Sequence, residues 1–388
     1  MRPRVLLLSQ EVHPIPPRKG AAVEQWIDAV AHRLDAFEPH IVSVPHPELP
    51  DDQRVGSVRY HRIHIGRVYN RLFRKITRLD PYSYLDRVVR YARGVAPAIV
   101  HLHNAPQFVR GIARGLPAAR LILHMHNEKE PRFDAALDCL AGCSRYIVEW
   151  YRRKGVRARR FIVLPNGVDV NVFRPRWEQV PVGAALKARF AIPEHRFVVL
   201  YVGRISPEKG VDLLVEAFRH LDQARFHLVL VGEWPKGSAS TSERVAYAER
   251  LQRELVGLNT TVIDTLAPDR VHEAYQLGDV VVVPSRFEEP FSMTAIEAMA
   301  SGVPVLALRK GGMAEYMVDR ENAVVLPPAT PATELAARLR ELAASKELLD
   351  GVARRARAFV VGRFTWEQVV KETQALYTAV LDSEPGFP

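Results

Sequence analysis

Two doubly wound parallel sheets, one after the other, are predicted for this chain by three observations. Apolar runs such as Val5–Ser9, Phe197–Val202 and Val280–Val283 are continuous rather than alternating, the mark of strands covered by helices on both faces. Such runs alternate with helical patterns through two successive series. The stretch from Phe173 to Pro193 holds Pro175, Pro181, Gly183 and Pro193 but no strand-like run, and it separates the two series. At 388 residues, each half can bury its own core.

The first series reads as strands at Val5–Ser9, Ile41–Val44, Val58–Ile63, Ala98–Leu102, Leu121–Met125, Leu140–Cys143 and Phe161–Leu164. The second reads as strands at Phe197–Val202, His227–Val231, Thr261–Ile263, Val280–Val283, Val303–Ala307 and Ala323–Leu326. Domains are expected at 1–178 and 179–362. The last segment, 363–388, carries an amphipathic pattern at helical spacing from Phe364 to Leu381. Residues 233–243, with Gly237, Ser238, Ser240 and Ser242, read as a mobile surface loop.

No apolar run reaches the roughly 18 residues that suggest a membrane span. The opening strand is too short for a signal-peptide core, so a cytoplasmic location is expected. Cys139 and Cys143 form neither a redox C-x-x-C nor a zinc pair with a second pair elsewhere, and read as small buried residues. Charge is uneven: residues 1–180 hold 30 Lys/Arg and 17 Asp/Glu, whereas residues 181–388 hold 24 and 27. A basic cluster runs through Arg59, Arg62, Arg67, Arg71, Arg74, Lys75 and Arg78, with Tyr60, Tyr69 and Phe73 interleaved and no acid between. It reads either as a solvated face or as a contact for an anionic membrane at its inner face, or for an acidic acceptor. No nucleic-acid-binding motif accompanies it, so nucleic acid is not expected as a partner.

The chemistry concentrates in Pro284-Ser-Arg-Phe-Glu-Glu-Pro-Phe-Ser-Met-Thr-Ala-Ile-Glu-Ala-Met-Ala-Ser-Gly-Val-Pro304. A helix is expected from near Ser292 to Gly302, stopped by that glycine and by Pro304. Glu289 and Glu297 flank its start eight residues apart. The N–H groups of Phe291, Ser292, Met293 and Thr294 at the helix start favour an anion. Tyr201-Val-Gly-Arg-Ile-Ser-Pro-Glu-Lys-Gly210 reads as strand, glycine turn and helix start, with Gly203 at the turn. Arg204 and Lys209 lie close together on it, and a diphosphate would answer both charges. No G-x-x-x-x-G-K-[ST] loop is present, which excludes a P-loop NTPase. Two acids beside a phosphate cradle suggest a phosphorylated, hydroxyl-rich ligand.

These motifs resemble the E-x7-E and G-R-x-x-x-x-K-G signatures of retaining GT-B glycosyltransferases of family 4. The likeness extends along the chain. Leu164-Pro-Asn-Gly-Val-Asp169 is similar to the family's domain-junction segment, and Asn166 there reads as structural. Pro16-Pro-Arg-Lys-Gly-Ala-Ala-Val-Glu24, with Arg18 and Lys19, is similar to its Gly-Gly loop, with Gly20 kept and Ala21 in place of the second glycine. Lys310-Gly-Gly-Met-Ala-Glu315 resembles its G-G-x-x-E turn. The chain departs at Ser292, where the family usually has glycine. Some members of similar appearance are spore-coat proteins.

The resemblance implies two domains facing a central cleft, with 363–388 crossing back onto the first. It implies a nucleotide diphosphate-sugar, UDP-linked by expectation, held mainly by the second domain. Glu297 is expected at the ribose, Glu289 at the sugar hydroxyls, and Asp264, Thr265 and Leu266 around the base. Arg204, Lys209 and the helix N–H groups are expected to stabilise the leaving diphosphate without a metal, since no D-x-D is present. Among His101, His103, His124 and His126, which end two strands, the resemblance assigns the sugar contact to His126, with His124 the nearest competitor. The histidine spacing H-x-H can hold zinc, but no supporting acids or cysteines are evident nearby. The expected activity is retaining transfer to a glycan, lipid-linked or small acceptor in cell-surface or coat polysaccharide synthesis. The alternatives are a UDP-sugar 2-epimerase, a non-catalytic coat or scaffold protein on the same fold, and a basic membrane- or nucleic-acid-binding module.

Overall fold

The computed structural model describes residues 2–18, 20–77, 79–235 and 240–383, without the Arg67 side chain. Lys19, Arg78 and residues 236–239 of the loop expected at 233–243 lie outside the described residues. The chain divides into two units, Met1–Gly167 with Trp366–Pro388, and Val168–Thr365. The first boundary falls ahead of the expected 178/179, and the second just past 362/363. The cause is the partners of the intervening backbone. Arg357 Nη1 donates to the Phe173 carbonyl at 2.5 Å and Nη2 to that of Val170 at 3.1 Å. Gln276 Nε2 donates to the Arg174 carbonyl at 3.0 Å, and the Arg176 N–H to that of Ser301 at 2.9 Å. Residues 168–178 are therefore bound into the second unit.

The first unit is an eight-stranded sheet built from β1 (Arg4–Ser9), β2 (Glu38–Ser43), β3 (Asp52–Val55), β4 (Val58–Arg62), β5 (Ile99–His103), β6 (Arg120–Met125), β7 (Leu137–Gly142) and β8 (Ala158–Val163). Its order is β3-β4-β2-β1-β5-β6-β7-β8. Every pairing is parallel except β3 with β4. The helix Tyr84–Val95 starts at a capping box in which Ser83 and Asp86 satisfy each other's backbone N–H. The helix Trp366–Leu381 supplies Val369, Leu376, Tyr377 and Val380 to the same core as Val5, Leu7, Trp26 and Ile122.

The second unit is a six-stranded parallel sheet of β9 (Phe197–Val202), β10 (Phe226–Val231), β11 (Thr260–Ile263), β12 (Val280–Val283), β13 (Val305–Leu308) and β14 (Val324–Leu326). Its order, β11-β10-β9-β12-β13-β14, reverses direction between β9 and β12. In open α/β sheets, ligands bind at the carboxyl ends of the strands flanking such a reversal. Here those ends lead into Gly203–Arg204 after β9 and Ser285–Glu289 after β12. The helix Met293–Ala300 ends as expected: Gly302 has φ +63°, and a Cβ there would lie 2.5 Å from Trp177.

Candidate active site

In the second unit, the loop after β12 brings Glu289 onto the turn after β9. Lys209 Nζ donates to Glu289 Oε1 at 2.6 Å, and Ser285 Oγ donates to the same oxygen at 2.5 Å. Glu289 is 3% exposed, so the pair is largely removed from water. Lys209 Nζ also lies 4.8 Å over the Phe287 ring. Lys209 therefore has a counter-charge across 80 residues of sequence, and Arg204 is exposed on the same turn. Both donors engage Oε1.

The loop is held in place by a close backbone approach. Gly311 has φ +49°, and a Cβ there would lie 2.5 Å from the Glu289 carbonyl oxygen. The Gly312 N–H donates to that carbonyl at 2.7 Å, and the Gly311 N–H to Glu288 Oε2 at 2.6 Å. The two glycines of the G-G-x-x-E turn thus clamp the backbone of Glu289. Phe291 is buried against Tyr316 and Phe364, so its side chain serves packing.

Ser292 is the N-cap of Met293–Ala300, and its hydroxyl accepts from the Ala295 N–H at 3.4 Å. Its φ is +73°, a region that favours glycine. Ser292→Gly is therefore expected to keep activity and raise stability. Relief of about 1 kcal/mol of backbone cost outweighs the few tenths lost from the cap. Chemical denaturation beside a transfer assay checks this, and complete loss of activity would give the hydroxyl a role of its own.

Glu297 accepts from the Tyr275 hydroxyl at Oε2, 2.6 Å. Burial pushes its carboxyl above the ordinary range, and the Tyr275 hydrogen bond offsets part of this. Thr294 Oγ1 donates to the Val202 carbonyl at 3.1 Å, tying the helix start to the end of β9. Gly203 follows β9 directly, and its N–H donates to the Val231 carbonyl at 2.9 Å. Asp264 and Thr265 are exposed just past β11, with Leu266 partly buried. Met293 is the first helical residue, partly exposed.

In the first unit, Gly20 and Ala21 precede the helix Ala22–Ala31. Ala21 has φ −147°, extended backbone in which its Cβ costs nothing, so the missing second glycine imposes no strain there. Glu24, in the first turn, is 2% exposed, and burial raises its carboxyl above the ordinary range. His101, His103, His124 and His126 gather around Trp26, edge-on or tilted to it, with ring centroids 4.7 to 6.4 Å from the indole. Burial holds all four neutral: His101 is pushed down to about 3 and His126 to about 4. His103 and His124 are held well below the ordinary value. The His126 N–H of the backbone donates to Asn104 Oδ1 at 2.7 Å.

The basic segment is not one patch. Arg62 is buried and donates to the carbonyls of Pro50 and Ile15 at 2.6 and 2.7 Å. Arg74 pairs with Glu11 at 2.6 Å and Asp80 at 3.2 Å, and Arg59 with Glu38 at 3.2 Å. Arg71 and Lys75 are exposed.

Ser285 and Tyr275 were not singled out from sequence. Ser285 follows an apolar strand directly, which is a usable signal. Tyr275 carries none beyond a polar handle on a buried ring. Trp26, on which the four histidines gather, is likewise invisible until the helix is packed.

Two parallel-sheet α/β units with these motifs beside a strand-order reversal define a glycosyltransferase of the GT-B fold. The chain matches the family models "Glycosyltransferase Family 4" over residues 23–172 and "Glycosyl transferases group 1" over residues 184–359. It is 30% identical over 374 residues to the lipopolysaccharide 1,2-N-acetylglucosaminetransferase of Salmonella typhimurium, covering 95% of this chain and 96% of that one. It is 25% identical to spore coat protein SA of Bacillus subtilis, covering 96% and 99%. Among solved structures, Anabaena HepE in complex with UDP-glucose superposes with a TM-score of 0.75 at 19% identity, covering 97% of this chain and all of that one. The chain belongs to glycosyltransferase family 4 and is an enzyme that transfers a sugar from a nucleotide-sugar donor.

Proposed function

We propose that the enzyme transfers a sugar from a UDP-linked donor, with retention of anomeric configuration, to an acceptor in cell-surface glycan synthesis. The Lys209–Glu289–Ser285 arrangement carries the reading. With both donors on Oε1, Glu289 Oε2 is left for the sugar hydroxyls. Diphosphate arriving beside Lys209 shares its ammonium with Glu289, and Arg204 swings in from solvent. These cations and the N–H groups at the start of Met293–Ala300 supply the counter-charge for the leaving group, so no metal takes part in its departure. Glu297 accepts from the ribose hydroxyls. HepE was solved in complex with UDP-glucose, and the Salmonella relative is named for lipopolysaccharide, which supports a UDP-linked donor and a cell-surface glycan. A thermal-shift series with UDP, GDP and ADP tests the donor. UDP is expected to raise the melting temperature equally with and without Mg²⁺, and to do so less in Lys209→Ala. A response to ADP alone overturns the base assignment.

Ionised Glu297 is the acceptor for the ribose, so donor KM is expected to rise as pH falls through its raised carboxyl value. Tyr275→Phe removes the contact that lowers that value, so the rise begins at a higher pH than in the parent. Steady-state kinetics across pH measure this, and coincident profiles would remove Glu297 from the ribose.

The reading includes peripheral contact with an anionic membrane through the segment around Arg67–Thr77. Val68, Leu72, Ile76 and Leu79 are 80, 45, 65 and 71% exposed, the first three at helical spacing, with Arg71 and Lys75 beside them. Leu72→Ser with Ile76→Ser is expected to weaken co-sedimentation with anionic phospholipid vesicles several-fold without changing transfer to a soluble acceptor. Among the described residues, no helix is long and apolar enough to cross a membrane.

A further inference from the structure

We propose that His101, His103 and His124 form a binding site for one divalent transition ion, zinc by ligand type, inside the first unit. The sheet creates the grouping. Register places His103 of β5 beside His124 of β6, and His101 lies two residues earlier on the same face of β5. All three side chains are fully buried, and one ring nitrogen from each lies within 4.8 Å of the others.

Each ring spends one nitrogen on a protein partner and keeps one without. His124 Nε2 donates to the Leu164 carbonyl at 2.9 Å, which leaves its Nδ1 as a lone pair. His103 Nδ1 lies 3.3 Å from His126 Nε2, and donation along that contact leaves His103 Nε2 bare. His101 Nδ1 lies 2.8 Å from the Tyr377 hydroxyl, and donation to that oxygen leaves its Nε2 bare. Among the described residues, these three leftover nitrogens are buried without a hydrogen-bond partner. A buried polar atom left unpaired keeps the cost of its lost hydration. One ion would satisfy all three together.

The outer contacts also fit. Histidines that ligate a metal usually donate their other N–H to a carbonyl or similar group, as His124 does to Leu164. Imidazole suits zinc and its neighbours, and a group without a carboxylate does not suit Ca²⁺ or Mg²⁺. Zinc–nitrogen bonds of about 2.0–2.1 Å set tetrahedral ligands about 3.4 Å apart, so the widest spacing closes by up to about 1.4 Å when the ion enters. Trp26 lies 4.7 Å from His103 and 5.1 Å from His124, and gives its N–H to the Pro165 carbonyl at 3.0 Å, so the indole shields the site without competing for it. The ion would fasten β5 to β6 and, through Tyr377, the C-terminal helix to both.

The test uses the full chain with any affinity tag removed, equilibrated with Zn²⁺ or Co²⁺ and then desalted. About one ion per chain is expected by elemental analysis. Co²⁺ should give the visible absorption of tetrahedral nitrogen ligation, and a chelator should reverse the zinc-dependent rise in melting temperature. His103→Gln is expected to lose the cobalt absorption. If that variant does not fold, the chelator-reversible shift of the parent protein decides. Substoichiometric metal with no thermal shift overturns the proposal and leaves a packed cluster of neutral rings. Metal retained equally in folded His103→Gln overturns it too, because the ion then sits elsewhere.

Discussion

Lys209→Ala is expected to lower kcat by roughly 10²–10³-fold, the usual loss when one preorganised donor to a developing negative charge is removed. The same substitution takes the ammonium from a carboxylate that is 3% exposed in the parent and leaves it, among the described side chains, the Ser285 hydroxyl. A stability loss of about 2–3 kcal/mol should follow, toward the low end for a broken buried pair because the Lys209 side chain keeps 22% exposure. The two effects separate in the double variant Lys209→Ala/Glu289→Gln. Neutralising the orphaned acid should restore most of the stability and none of the rate. Urea denaturation and single-turnover kinetics on the set of four proteins measure both. If Arg71→Ala or Lys75→Ala costs as much in kcat as Lys209→Ala, the assignment of Lys209 to the leaving group fails.

Gly311→Ala should destabilise the second unit by about 2–3 kcal/mol. Around 1 kcal/mol comes from placing an L-residue in the left-handed region. The rest comes from a methyl group 2.5 Å from the Glu289 carbonyl oxygen and 2.9 Å from the Glu289 nitrogen. Relief requires the 288–289 backbone to move, which takes the Glu289 carboxylate away from Lys209. Activity should therefore fall further than the folded fraction does. Gly94→Ala is the control, because nothing lies within 4 Å of a Cβ there and the position is helical. Equal stability of the two variants would mean that the approach of Gly311 to Glu289 is not tight.

Much of the architecture was legible because strands buried on both faces leave continuous apolar runs, as Val280–Val283 does in β12. Where that rule does not apply, the pattern was silent. Asp52–Val55 forms β3 with an almost wholly exposed, polar sequence, and it pairs antiparallel at the sheet edge. Val180–Arg189 is a helix inside the stretch read as a break, because Pro181 sits in its first turn, where a missing N–H costs nothing. The acids and cations of the second unit were legible as motifs, but their pairing was not. Lys209 meeting Glu289 depends on β9 and β12 being neighbours, which follows from the topology and not from either motif alone. Likewise His101, His103, His124 and His126 were visible as two strand-end pairs. That four rings share one indole depends on the packing of Trp26.

The helix Trp366–Leu381 has a consequence for synthesis on the ribosome. The first unit cannot complete its core until the last residues of that helix have emerged, because Val369, Leu376, Tyr377 and Val380 are part of that core. The second unit, contiguous from Val168 to Thr365, has all its residues before then. The half made first therefore finishes folding last, and until that point it presents an open apolar face to chaperones. A nonsense codon or a protease cut shortly before Trp366 would spare the second unit and strand the first.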